Sequence, residues 1–114
     1  MGNDVRFGPF TLSVAQRKLW HAGQRVVLTP REIELLVLLA DRRPGIVSKD
    51  EIIARLWAGY DASDAALTQA IYRLRRALAT HDGGDDDYIR TVHGIGFQFV
   101  ADDIAVAEGV ARFG

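Results

Sequence analysis

Cysteine is absent from the 114-residue chain and methionine occurs once. The absence of cysteine excludes a disulfide framework, a thiolate zinc site and a cysteine nucleophile. It also suits a reducing cytoplasm, the compartment expected for this chain. No apolar run approaches the roughly 18 residues that a membrane span requires, so no membrane partner is expected. Met1-Gly2-Asn3-Asp4 lacks the charged and apolar regions of a signal peptide. Charge of one sign is not in excess either: 14 Lys+Arg stand against 15 Asp+Glu, for a net charge of −1. Any attraction to nucleic acid must therefore come from a local patch. Catalytic patterns are missing too. His21, His81 and His93 lie in separate segments, with no Gly-x-Ser-x-Gly, His-Glu-x-x-His or P-loop sequence. Gly94-Ile95-Gly96 lacks the third glycine and the strand-to-helix setting of a dinucleotide site. Asp82 with Asp85 to Asp87 lacks the spacing and terminal Glu of a calcium loop. The chain is read as a non-enzyme without cofactor or metal.

What is present fits one domain. A chain of this size buries about two-thirds of its unfolded surface, enough for one core. From Val5 to Leu28, short apolar or β-branched pieces are split by turn residues. Val5-Arg6-Phe7, Gly8-Pro9, Phe10-Thr11-Leu12 and Val26-Val27-Leu28 predict three or four antiparallel strands, with a hairpin at Ala22-Gly23. Such a small sheet needs something to cover one face.

Thr29-Pro30-Arg31-Glu32 is a helix start. Thr caps, Pro fits the first helical position, and Glu closes a capping box. Ile33, Leu36, Val37 and Ala40 recur at helical spacing, Leu35, Leu38 and Leu39 widen the arc, and Arg43-Pro44-Gly45 ends the helix. Ser48-Lys49-Asp50-Glu51 repeats the box ahead of a second helix carrying Ile52, Ile53, Leu56 and Trp57. Ala58-Gly59-Tyr60-Asp61 reads as a turn, and Asp61 or Ser63 as the cap of a third helix reaching about Ala79. After a polar loop over His81 to Asp87, Tyr88-Ile89-Arg90-Thr91-Val92 and Phe97-Gln98-Phe99-Val100 flank His93-Gly94-Ile95-Gly96 as a closing hairpin. Residues 102–114 read as a tail or linker, and no internal repeat is present.

The third helix carries the chemistry. Leu67, Ile71, Leu74 and Leu78 form a narrow stripe for the core. The other face carries Ala65, Gln69, Tyr72, Arg73 and Arg76, with Thr68 and Arg75 on its flank, and no acid occurs from Ala65 through Ala79. Arginine pairs bidentately with guanine edges or phosphates, and glutamine reads adenine. A short helix, a turn and a second helix with exposed Arg and Gln form a helix-turn-helix, and the hairpin with Arg90, Thr91 and His93 is a natural wing.

Four segments together resemble the OmpR/PhoB-type winged-helix DNA-binding domain of bacterial transcription regulators. They are Leu28-Thr-Pro-Arg-Glu-Ile-Glu-Leu-Leu, Val47-Ser-Lys-Asp-Glu-Ile-Ile-Ala-Arg-Leu-Trp57, Ile71-Tyr-Arg-Leu-Arg-Arg-Ala-Leu78, and Tyr88 through Val100. The resemblance runs from about Val5 to Ala101 and gives a domain over residues 1–101. It implies an α+β winged helix-turn-helix with an N-terminal four-stranded antiparallel sheet, a three-helix core and a C-terminal β-hairpin wing. It places the third helix, about 64–79, in the major groove and the wing, about 88–100, at the minor groove. By position, Arg73 falls where the family reads bases or phosphates, with Tyr72 and Arg75 beside it. Thr91 and His93 fall at wing positions touching backbone and minor groove, and Trp57 at a position near the backbone.

The expected partners are double-stranded DNA, RNA polymerase, and a second copy bound in tandem on direct repeats. Three departures from the family pattern stand out. Ala65-Ala66 replace a usual Arg-Thr, His93 stands where Arg is common, and Asp85-Asp86-Asp87 lies near the expected DNA side. The Asp-Ala-Ala-Leu-Thr-Gln-Ala-Ile phrase is more like regulators that carry this domain at their N-terminus. With no receiver domain ahead of it, the chain is expected to be a fragment or a stand-alone regulator. The alternative is a winged helix used for protein contact, which the acidic pI of about 6.3, the two alanines and the missing wing Arg favour.

Overall fold

The computed structural model describes residues 4–57, 64–82, 88–100 and 105–106. The turn read at Ala58 to Asp61, the candidate caps Asp61 and Ser63, the run Asp85 to Asp87 and most of the tail lie outside the described residues. Among the described residues eleven elements follow in chain order. They are β1 (Asp4–Phe7), β2 (Phe10–Ser13), β3 (Lys18–His21), β4 (Gln24–Val26), α1 (Pro30–Arg42), β5 (Ile46–Ser48), α2 (Lys49–Leu56), α3 (Asp64–Asp82), β6 (Ile89–Val92), β7 (Gly96–Phe99) and β8 (Ala105–Val106). The arrangement is the winged helix implied by the resemblance.

The first four strands form an antiparallel meander whose registers follow from its turns. Phe7 faces Phe10 across Gly8-Pro9, and His21 faces Gln24 across Ala22-Gly23. Ala22 and Gly23 take φ of +50° and +86°, the two positive values that a type I′ loop needs. One face of this sheet is apolar, with Val5, Phe7, Phe10, Leu12, Leu19 and Val26 buried. At the other edge of β1, Ala105 and Val106 pair with Arg6 and Val5, so two residues of the expected tail extend the sheet to five strands.

Both halves of the first capping box are present. Thr29 Oγ1 accepts from the Glu32 amide at 3.1 Å, and Glu32 Oε1 accepts from the Thr29 amide at 3.0 Å. Behind that cap, Leu35, Leu36, Leu39 and Ala40 are almost fully buried, making α1 the central helix. The second box is only half made. Ser48 Oγ accepts from the Glu51 amide at 3.1 Å, but the Glu51 carboxylate is taken by Arg42 and Arg55. A tertiary ion pair thus wins over the local cap.

The hairpin of β6 and β7 gains a third strand that periodicity could not reveal, because β5 is only three residues long. The order is β5-β7-β6. Gly96 makes the close packing possible. A Cβ there would stand 2.0 Å from the Val47 carbonyl oxygen and 2.8 Å from Ser48 Cα. An aromatic cluster joins the two sheets: Phe7 lies 5.2 Å from Phe10, 5.1 Å from Tyr88 and 5.1 Å from Phe99, by ring centroids. Edge-on contacts at such distances add to the area that these rings bury.

Candidate nucleic-acid interface

The helix α3 runs three residues past the expected end, to Asp82, just before Gly83-Gly84. Its core stripe is as the spacing predicts. Leu67, Ile71, Leu74 and Leu78 are at most 3% exposed. Burying each stabilises the docking by roughly 1.5–3 kcal/mol, enough to fix which face the helix turns outward. That outward face presents Ala65, Thr68, Gln69, Tyr72, Arg73 and Arg76, all exposed. Tyr72 keeps 56% of its surface exposed, and the Arg76 guanidinium lies 6.0 Å from its ring. Neither Arg73 nor Arg76 has an acidic partner among the described residues. Ala66 turns partly inward against the core.

Arg75, expected on the flank available to DNA, is engaged elsewhere. Its Nε and Nη2 donate to the Ile89 carbonyl oxygen at 3.1 and 2.8 Å, and Nη2 donates to Thr91 Oγ1 at 2.8 Å. Its planar fork therefore spans from α3 to β6 and sets the wing against the helix. Thr91 is exposed but already holds that bond, while Arg90 and His93 are exposed on the hairpin with no side-chain partner among the described residues. The tip is a three-residue loop, closed by the Ile95 amide on the Val92 carbonyl at 3.0 Å. Gly94 there takes φ of +77°. The Lys49 amide, at the start of α2, donates to the Ile95 carbonyl at 3.1 Å. Wing, second helix and third helix are thus tied to one another by specific bonds.

Trp57, expected near the DNA backbone, presents little surface of its own. Its side chain is 7% exposed and belongs to the core, because the end of α2 is the apolar seam where this helix meets its neighbours. Its contact with the surface is indirect, through Arg31, whose guanidinium carbon sits 4.6 Å from the indole centroid. Sequence reasoning missed Arg31. The available signal was a cation in the first turn of a helix, where the macrodipole disfavours it.

Several other charges pair within the domain. Arg17 Nε pairs with Glu34 at 2.8 Å, and Lys49 Nζ with Asp64 at 3.6 Å. The hydrogen bond from Arg42, then its charge and that of Arg55, holds the Glu51 carboxyl below its ordinary value. The same bond raises Arg42. Among the described residues no three His, Asp or Glu side chains gather as metal ligands do, and no helix is long and apolar enough to cross a membrane.

Comparison with known proteins agrees with this architecture. A family profile described as "Transcriptional regulatory protein, C terminal" matches residues 23–99. The transcriptional activator CadC of Escherichia coli is 30% identical over 104 residues, which are 91% of this chain and 20% of that protein. The solved DNA-binding domain of E. coli CadC superposes with a TM-score of 0.78 at 28% identity, covering 91% of this chain and 96% of that one. The DNA-binding domain of Klebsiella pneumoniae RstA, solved in complex with the RstA box, gives 0.68 at 29% identity, covering 84% and 95%. The chain thus spans about a fifth of the CadC relative. Matched by profile and by fold over most of its described length, the chain belongs to the family of transcriptional regulatory protein C-terminal domains, of the OmpR/PhoB winged-helix type.

Proposed function

We propose that this chain binds double-stranded DNA sequence-specifically, as the DNA-reading part of a bacterial transcription regulator. One observation carries the reading: α3 is docked so that an acid-free face of Gln69, Tyr72 and Arg76 stands outward beside a wing fixed to it by Arg75. A helix of this kind fits the major groove, where Gln pairs with adenine and Arg with guanine. Ala65 and Thr68 line the same face toward the N-terminal end, and Arg90 and His93 serve the minor groove and its phosphates. Arg73 lies on the edge of the face, a position suited to a phosphate. The likeness to CadC and to the RstA complex supports this reading. A second copy in tandem and RNA polymerase are the further partners proposed, and the cytoplasm the compartment.

The test is selection from a random duplex pool, followed by titration of the enriched site at several salt concentrations. An enriched motif, particularly a direct repeat, with affinity falling linearly as log K against log salt, supports sequence reading. Weak binding without enrichment, lost near physiological salt, would favour protein contact through α3 instead. The small Ala65, and His93 where an arginine is common, are the features pointing that way.

A further inference from the structure

We infer that Arg31, from the first turn of α1, is a phosphate clamp on the DNA strand across the major groove from the wing. The inference rests on the DNA reading above and adds a residue from outside the helix-turn-helix and the wing.

Arg31 is an exposed cation where a helix dipole disfavours one. No acid among the described residues neutralises it. Glu34, one turn on, is held by Arg17 at 2.8 Å, and Glu32 is buried on the Thr29 amide. The guanidinium instead lies over the Trp57 indole at 4.6 Å. A guanidinium held against a ring keeps its N–H donors at its edge, where a diester oxygen can be met by two of them. The stacking also restrains the side chain, lowering the entropy lost on binding. Trp57 is itself buried at the end of α2, and its amide donates to the Ile53 carbonyl at 2.9 Å.

The placement relative to α3 gives the clamp its partner. Arg31 and Trp57 line one groove with Ala66, Gln69, Ala70 and Arg73. Arg73 and Arg75 are two residues apart, hence about 160° apart around a helix of 3.6 residues per turn. Arg75 reaches the wing, so Arg73 and the Arg31 groove lie along the opposite flank. A helix in the major groove has a phosphate backbone on each side. The wing serves one of them, and Arg31 with Arg73 the other, while Ala66 and Ala70 leave room for the strand to approach.

The test measures binding of the selected duplex by the whole chain, its Arg31→Met variant (which keeps an unbranched stem on Trp57) and Arg31→Lys. Arg31→Met should weaken binding roughly fivefold at 0.15 M salt and shrink the salt slope by about 0.9, with base preference unchanged. Arg31→Lys should keep the slope. Single methylphosphonate substitutions then locate the contact. One position should weaken the parent but not Arg31→Met, on the strand opposite those that depend on Arg90. Parent-like affinity and slope in a folded Arg31→Met overturn the clamp alone, as does the absence of any such phosphate. Failure of the parent protein to bind any duplex overturns the DNA reading and the clamp with it.

Discussion

Arg75 and Thr91 are joined by a 2.8 Å hydrogen bond that crosses from the third helix to the wing, while the same guanidinium holds the Ile89 carbonyl. The wing's orientation therefore depends on a residue of the helix it flanks. Arg75→Met should cost about 1 kcal/mol of stability in denaturant unfolding, since the bonds are charge-assisted but partly solvated. In DNA binding, the effect of Arg90→Ala should be smaller in the Arg75→Met background than alone, by at least ~0.5 kcal/mol. Strict additivity would mean that the wing holds its position without Arg75.

The network around Glu51 gives the domain an acid limb. Arg42 donates to Glu51 at 2.9 Å and Arg55 at 3.1 Å, and Glu51 is held below its ordinary value of 4.5 by the Arg42 bond first and by both charges after it. The unfolded chain thus takes up this proton at higher pH than the folded one. The pair's contribution is complete above about pH 4.5 and is lost as pH falls through the lower folded value. Glu51→Gln should lower stability at pH 7 and flatten the fall between neutral and acidic pH, measured by denaturant unfolding at several pH values. Equal acid slopes in the two proteins would remove Glu51 from the account.

These features also mark where the sequence was legible. The Thr29 cap was readable because both its bonds lie within four residues, and the α3 stripe because helical periodicity alone selects Leu67, Ile71, Leu74 and Leu78. The half-made Ser48 box was not, since Glu51 is captured by Arg42, nine residues earlier, through tertiary packing. The same holds for Arg75, whose partners lie 14 and 16 residues away, and for Trp57, whose burial depends on how α2 meets its neighbours. Local chemistry identified the outward face of α3, but three-dimensional neighbours decided which of its cations are held by protein partners.

Two wing glycines should respond to a single methyl group with losses of different size and cause. At Gly96 the new carbon would meet backbone of β5, 2.0 Å from the Val47 oxygen, and main chain cannot rotate away as a side chain can. Gly96→Ala should cost about 3 kcal/mol and weaken DNA binding by displacing the hairpin. Gly94 has nothing within 4 Å and only its φ of +77° to object, so Gly94→Ala should cost about 1 kcal/mol. Thermal unfolding of both variants checks the order, and equal losses would contradict the close approach of β7 to β5.

Arg73 and Arg76 differ by position rather than by chemistry, and that difference predicts distinct losses on DNA. Arg76 stands on the central outward face beside Tyr72, whereas Arg73 lines the groove shared with Arg31 and Trp57. A residue at the centre of a helix in the major groove meets base edges, and one at its border meets phosphates. Arg76→Ala should therefore cost ~1–3 kcal/mol on the preferred site and relax selectivity at one base pair. Arg73→Ala should weaken all duplexes alike and reduce the salt slope by about one unit. Competition against a set of single-base variants, repeated at several salt concentrations, separates the two. If selectivity falls for Arg73→Ala while the slope falls for Arg76→Ala, the recognition helix is rotated in the groove toward the α1 side.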